Sequence, residues 1–160
     1  MQPKMGKRCG STTIAAGMNS RPSDRIANYV ADLPLDPGLR VLEIGCGPGV
    51  AAREVARRIG DGKVVAIDRS AKAIGIATQS SATEIEAGRL ELRTVAIEHF
   101  ALEDGEEPFD LAFAMRVGAL DGRHPAAGKL AMVRLKAALK PDGLLFIDDR
   151  EPIKGREIRT

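Results

Sequence analysis

The chain is poor in aromatic side chains: no tryptophan, one tyrosine and four phenylalanines among 160 residues. That excludes the stacked aromatic platforms that grip single-stranded nucleic acid. Cysteine is as scarce. Cys9 and Cys46 are the only two. They make no disulfide framework, and the expected compartment is a reducing cytoplasm. Charge of one sign is missing too. A net charge of +2 leaves no basic footprint for DNA or RNA. No apolar run is long enough to cross a membrane. The basic start (Lys4, Lys7, Arg8) leads into STTIAAG, too short and too polar for the apolar region of a secretory signal.

What remains is a globular composition, 44% hydrophobic and 29% charged, with enough length for one domain. Residues 1–20 lack periodicity and read as a flexible arm. Residues 21–160 read as a single domain. After Pro22 the stretch DRIANYVADL places Ile26, Val30 and Leu33 on one helical face. Strands are expected at Arg40–Ile44, Lys63–Asp68, Leu90–Val95, Phe109–Met115 and Leu144–Asp148. Helices are expected at Val50–Ile59, from Ser70 to Ser80 or beyond, and at Ala126–Leu139, where Leu130, Val133 and Leu139 are apolar. Lys140-Pro141-Asp142-Gly143 reads as a turn into the fifth strand. Strands alternating with helices, several of them continuous apolar runs, predict a doubly wound α/β domain with a mostly parallel sheet. Its ligand site belongs beyond the carboxyl ends of the strands.

The stretch VLEIGCGPGV puts Gly45, Gly47 and Gly49 where the first strand turns into a helix. Backbone without Cβ lets a ligand approach closely, and a helix start offers unpaired N–H groups. Asp68 ends the second strand, where an acid can accept hydrogen bonds from ribose hydroxyls. The glycines are spaced G-x-G-x-G, whereas a pyrophosphate fingerprint is G-x-G-x-x-G, which disfavours an NAD-linked oxidoreductase. Glu43 beside them would repel a pyrophosphate and suits a ligand bearing an ammonium group.

VLEIGCGPG resembles motif I of the class I S-adenosylmethionine-dependent methyltransferases. VVAIDRS resembles their second-strand motif, FDLAFA the fourth and LKPDGLLFI the fifth, so the likeness spans residues 22–149. It implies a Rossmann-like sheet of order 3-2-1-4-5, here cut short after strand 5. It implies S-adenosyl-L-methionine as cofactor and S-adenosyl-L-homocysteine as product. Glu43 and the loop of Gly45, Cys46, Gly47 and Gly49 then hold the methionine moiety, Asp68 the ribose, and Arg69 covers the adenine. The family's acid after strand 3 falls on Ala96 here. Glu98 is its substitute, and Ile97 supplies a backbone or apolar contact. Met115 and Arg116 lie near the transferring methyl group. Cys46 reads as a small buried residue rather than a nucleophile.

For catalysis the loop after strand 4 offers Arg116, Asp121, Arg123 and His124, with His99 after strand 3. The candidates are His124, Asp121 and Arg116. Asp121 with Asp148 and Asp149 imitates the oxygen ligands of metal-dependent relatives, but these read as solvated acids and no metal is expected. By elimination the acceptor is a small molecule. The alternative is a non-catalytic S-adenosylmethionine-binding or partner module, favoured by the short C-terminus and the missing adenine acid. An open strand-5 edge suggests a homodimer.

Overall fold

The computed structural model describes residues 21–160. The arm expected over residues 1–20, with Cys9, lies outside them. Ser23 starts helix α1 (Asp24–Asp32): its hydroxyl accepts the Ile26 N–H at 3.4 Å. Val30 and Leu33 are buried and Ile26 is partly so, as the periodicity requires.

Six strands follow: β1 (Arg40–Ile44), β2 (Lys63–Asp68), β3 (Leu90–Thr94), β4 (Phe109–Ala114), β5 (Leu139–Ile147) and β6 (Ile153–Lys154). Helices α2 (Val50–Arg58), α3 (Ala71–Ser80), α4 (Ala82–Glu86) and α5 (Pro125–Ala138) connect them. The sheet order is β3-β2-β1-β4-β5-β6, with all pairs parallel except β5–β6. The expected 3-2-1-4-5 core is present. Strand alternation divides it into two layers. Val41, Val64 and Ala66 pack with Val55 of α2 and with Ile59 just after it, while Leu42, Ile44, Val65 and Ile67 share the other core with Leu135 and Ala138 of α5.

Three expectations need correction. Strand 5 is not a bare edge, because Ile153 and Lys154 pair antiparallel with Leu145 and Leu144. A dimer formed by pairing on that edge loses its premise. Nor is Lys140–Gly143 a free turn. β5 already begins at Leu139, opposite Phe109, and the register shifts before Leu144 pairs with Leu111. The bulge keeps the segment in the sheet, and long-range pairing overrides its local turn chemistry. Finally, Leu130 and Val133 face solvent, 53% and 47% exposed. The seam of α5 is Ala131, Leu135 and Ala138, and Leu139 belongs to β5. Ala131 and Ala138 beside Leu135 let α5 lie close on the sheet, while Leu130 and Val133 turn outward. No helix among the described residues is long and apolar enough to cross a membrane.

The acidic loop before β4 is fastened by Glu106, whose side chain is only 8% exposed. Its Oε1 accepts from Arg40 at 3.1 Å and Arg93 at 2.9 Å; its Oε2 accepts from Arg93 at 3.0 Å and the Glu103 N–H at 2.9 Å. Glu106→Ala would leave two half-desolvated guanidiniums without this partner. The expected cost is about 3 kcal/mol, in the range for breaking a desolvated ion pair. Urea unfolding should show the midpoint falling with the slope unchanged. A loss below about 0.5 kcal/mol would mark the network as surface decoration.

Candidate functional site

β1 ends in the glycine loop, at the carboxyl edge of the sheet. Gly45 has φ +70°, and a Cβ there would sit 2.7 Å from Val117 Cγ2. Glycine is required at that point by conformation and by space. Gly47 has φ +52° and nothing within 4 Å of where a Cβ would stand. Its backbone is bare toward open space, which no packing constraint explains.

Asp68, at the end of β2, holds this loop. Its Oδ2 accepts the Gly47 N–H at 2.9 Å and its Oδ1 accepts the Ser70 N–H at 2.8 Å. Both oxygens keep a lone pair for a ligand. Behind the loop lies Glu43, 5% exposed, on the face of β1 that meets α2. Its Oε2 has no hydrogen-bond partner. Burial above all, with the charge of Asp68 adding, pushes this carboxyl up to about 8, against the Ala52 N–H and the charge of Arg53. Cys46 is buried beside it. Desolvation first, then Glu43 and Asp68, push the thiol far up, so it stays protonated and packs.

The other expected cofactor residues follow the carboxyl ends of β2, β3 and β4. Arg69 is exposed after β2. Ile97 is buried at the start of a short 3₁₀ turn, Ile97–His99, with Glu98 half-buried and Ala96 just before it. Met115 is half-buried past the end of β4.

Met115 also belongs to a cavity of about 460 Å³. Arg116, Asp121, Asp148 and Asp149 line it from the β4 and β5 ends, and Arg25, Tyr29 and Asp32 from α1. Arg116 (φ +55°) and Asp148 (φ +50°) both hold left-handed backbone, and the Arg116 N–H donates to Asp148 Oδ1 at 2.7 Å. Two strained residues locked together at a cavity mouth are a signature of a functional edge. Arg123 clamps Asp121 (Nε to Oδ2, 2.8 Å) and holds its carboxyl below the usual range. His124 is exposed and lies against Gly118, outside the cavity wall. His99 is exposed as well. Asp121, Asp148 and Asp149 do share the cavity, yet among the described residues no three His, Cys, Asp or Glu side chains are grouped to hold a metal ion.

The residues missed from sequence are those of α1. Their signal was present: Arg25, Tyr29 and Asp32 repeat at helical spacing, directly beside the apolar stripe Ile26, Val30 and Leu33.

A family model described as a methyltransferase domain matches residues 35–155. The ubiquinone biosynthesis O-methyltransferase of Rhizobium etli is 37% identical over 115 residues, 71% of this chain and 42% of that protein. Its counterpart in Sinorhizobium medicae is 33% identical over 128 residues, 78% and 48% of the two chains. The chain thus spans less than half the length of these curated relatives. Among solved structures, a SAM-dependent methyltransferase from Thiobacillus denitrificans in complex with S-adenosyl-L-homocysteine superposes with a TM-score of 0.60 at 23% identity, covering 79% of this chain and 48% of that one. The [4+2]-cyclase SpnF does so with a TM-score of 0.64 at 28% identity, covering 80% and 46%. The matched segment contains the glycine loop, Asp68 and every strand of the parallel sheet, and the chain belongs to the methyltransferase domain family.

Proposed function

We propose that the chain binds S-adenosyl-L-methionine and transfers its methyl group to an oxygen of a hydroxyl-bearing small molecule in the cytoplasm. The observation that carries this reading is the buried, unpartnered carboxylate oxygen of Glu43 behind the bare backbone of Gly47. A pyrophosphate would be repelled by Asp68 and would oppose ionisation of the buried Glu43 carboxyl. A ligand with an ammonium end and a ribose would satisfy both. The residues present therefore fit the cofactor. Glu43 and the loop from Gly45 to Gly49 would take its amino-acid end, Asp68 its ribose hydroxyls, and Arg69, Ile97 and Glu98 its adenine. Met115 lines the cavity just past the end of β4, the strand beside β1.

When bound, the cofactor supplies an electrophilic methyl group on a sulfonium. The protein's task is then to orient and desolvate. Asp68 fixes the loop through Gly47 and presents its remaining lone pairs. The locked Arg116–Asp148 pair gives the cavity a rigid rim. Arg116 and Asp121 orient the acceptor there; Asp121, kept ionised by Arg123, is a weak base. No proton transfer is assigned to His124, which lies outside the wall. The acceptor class rests on the O-methyltransferase relatives and on the cavity's size. A reducing compartment suits the buried thiol of Cys46.

Calorimetry with S-adenosylhomocysteine tests the reading. Wild type should bind, and Asp68→Ala should bind about 100-fold more weakly, the loss of charge-assisted hydrogen bonds at about 1.5–3 kcal/mol each. A folded wild-type sample that fails to bind would sink it. Binding without transfer to any hydroxylated acceptor would favour the cofactor-binding module instead. The likeness to a [4+2]-cyclase keeps that second reading in view, since one fold hosts many chemistries.

A further inference from the structure

Among the described residues, two buried side-chain oxygens lack a hydrogen-bond partner: Glu43 Oε2 and the hydroxyl of Tyr29. The proposed cofactor accounts for the first. Nothing in that reading uses the second.

Tyr29 is firmly placed. Its ring packs on Phe113 of β4, centroids 6.1 Å apart and tilted by 44°. The next residue, Val30, anchors α1 in the core. The ring therefore cannot swing out to wet its hydroxyl without giving up that packing. Buried polar groups are almost always bonded, and an orphan costs free energy. Such a cost persists where a ligand removes it.

Position decides which ligand. Tyr29 lines the cavity with Met115, Arg116 and Asp148, whereas Glu43 and the glycines of the loop do not. Chemistry decides what it does. Burial, then the charges of Asp148, Glu43 and Asp149, push the phenol up to about 12, so it keeps its proton at any working pH. It can donate a hydrogen bond and cannot act as a base.

We propose that Tyr29 determines acceptor specificity: its hydroxyl donates to an oxygen atom of the acceptor, and so selects molecules that present one on the α1 side of the cavity. This rests on the methyltransferase reading for what occupies the cavity. A site built to hydrogen-bond a substrate oxygen discriminates strongly against analogues that lack it.

Tyr29→Phe is the test, with catechol and benzene as probes. In the absence of ligand the variant should melt at or above the wild-type temperature, because it loses only an unpaired hydroxyl. A midpoint several degrees lower would show that the hydroxyl serves the fold, and would overturn the proposal. Affinity for S-adenosylhomocysteine should stay within about twofold; a tenfold loss would assign Tyr29 to the cofactor and overturn it as well. Wild type should prefer catechol over benzene by about tenfold or more, and the variant should lose that preference. An equal preference in both proteins, or none in wild type, overturns the proposal. The chain has one tyrosine, so its ring resonances are unambiguous. Bound catechol should give a direct nuclear Overhauser contact to that ring, and its absence counts against the proposal. Failure of wild type to bind S-adenosylhomocysteine would sink the methyltransferase reading separately, while the ligand-free melt and the probe preference still judge Tyr29.

Discussion

Glu43→Gln is expected to be more stable than wild type at pH 8.5 while binding S-adenosylhomocysteine more weakly. The carboxyl sits at about 8 in the folded chain, raised from 4.5 chiefly by burial. An unfolded chain gives that proton up near the ordinary value. Between pH 4.5 and about 8 the folded state therefore holds more protons than the unfolded one. Stability falls as pH rises through this window and levels off above it. At ~1.36 kcal/mol per pH unit the whole window is worth about 5 kcal/mol. Glutamine keeps the shape and an oxygen for the Ala52 N–H, and it carries no charge to desolvate. Urea unfolding at pH 5, 6.5 and 8.5 should show the variant gaining about 3 kcal/mol or more at the highest pH and about none at the lowest. Parallel curves for the two proteins would remove the buried-charge account.

The same titration makes binding proton-linked. At pH 7 Glu43 is mostly protonated in the ligand-free protein. An ammonium group beside it favours the ionised form. Binding should therefore release about 0.9 proton at pH 7 from a group of pKa about 8. Calorimetry in phosphate and in Tris buffers reads that number directly. Glu43→Gln should release none from this site. Function thus takes the form of a destabilised ground state, a carboxylate that the fold alone leaves unsatisfied.

How far the sequence foretold this depends on the range of the physics involved. The two-layer core was legible because strand alternation is local: Val41 and Leu42 face opposite helices whatever else the chain does. The glycine loop was legible because left-handed backbone and bare space are written in residue type, at Gly45 and Gly47. Asp68 was legible from its place at a strand end. What failed was non-local. β6 has only two residues, and its pairing with Leu144 and Leu145 has no local signature. Lys140-Pro141-Asp142-Gly143 has turn chemistry, yet its neighbours on β4 draw it into a bulged strand. Leu130 and Val133 satisfied an apolar pattern, but the alanine seam decided which face of α5 packs. Tyr29 reaches the site only because α1 folds back over β4. His124 lies near the cavity in sequence and outside it in space. Arg53 was hidden for another reason: an arginine in VAAREVARR reads as surface, and this one is 3% exposed.

Arg53→Met is expected to cost about 3–4 kcal/mol of stability and to weaken S-adenosylhomocysteine binding at least tenfold, although Arg53 reaches the glycine loop from behind. Its Nη1 donates to the Pro48 carbonyl at 3.0 Å and to Ser81 Oγ at 3.1 Å. Burial lowers its proton affinity, and the Glu84 carboxylate opposes that, so the guanidinium stays charged. Without it, Ser81 Oγ is left unpaired in the buried interior and the Pro48 carbonyl loses its partner. Glu84, 4% exposed and paired with Arg57, loses a neighbouring positive charge. Two charge-assisted hydrogen bonds, at about 1.5–3 kcal/mol each, account for a cost of this size. The loop loses its brace at Pro48, beside Gly47, which would meet the ligand. Arg53 is also the cation that favours ionised Glu43. Its removal should therefore push the Glu43 transition above pH 8, and the pH dependence of binding should move with it. That shift separates a positioning residue from a merely structural one. Arg53→Lys keeps the charge but not the fork, so it should restore most of the pH profile and less of the stability. A variant that loses stability and keeps both its affinity and its pH profile would show that Arg53 braces the fold and leaves the site untouched.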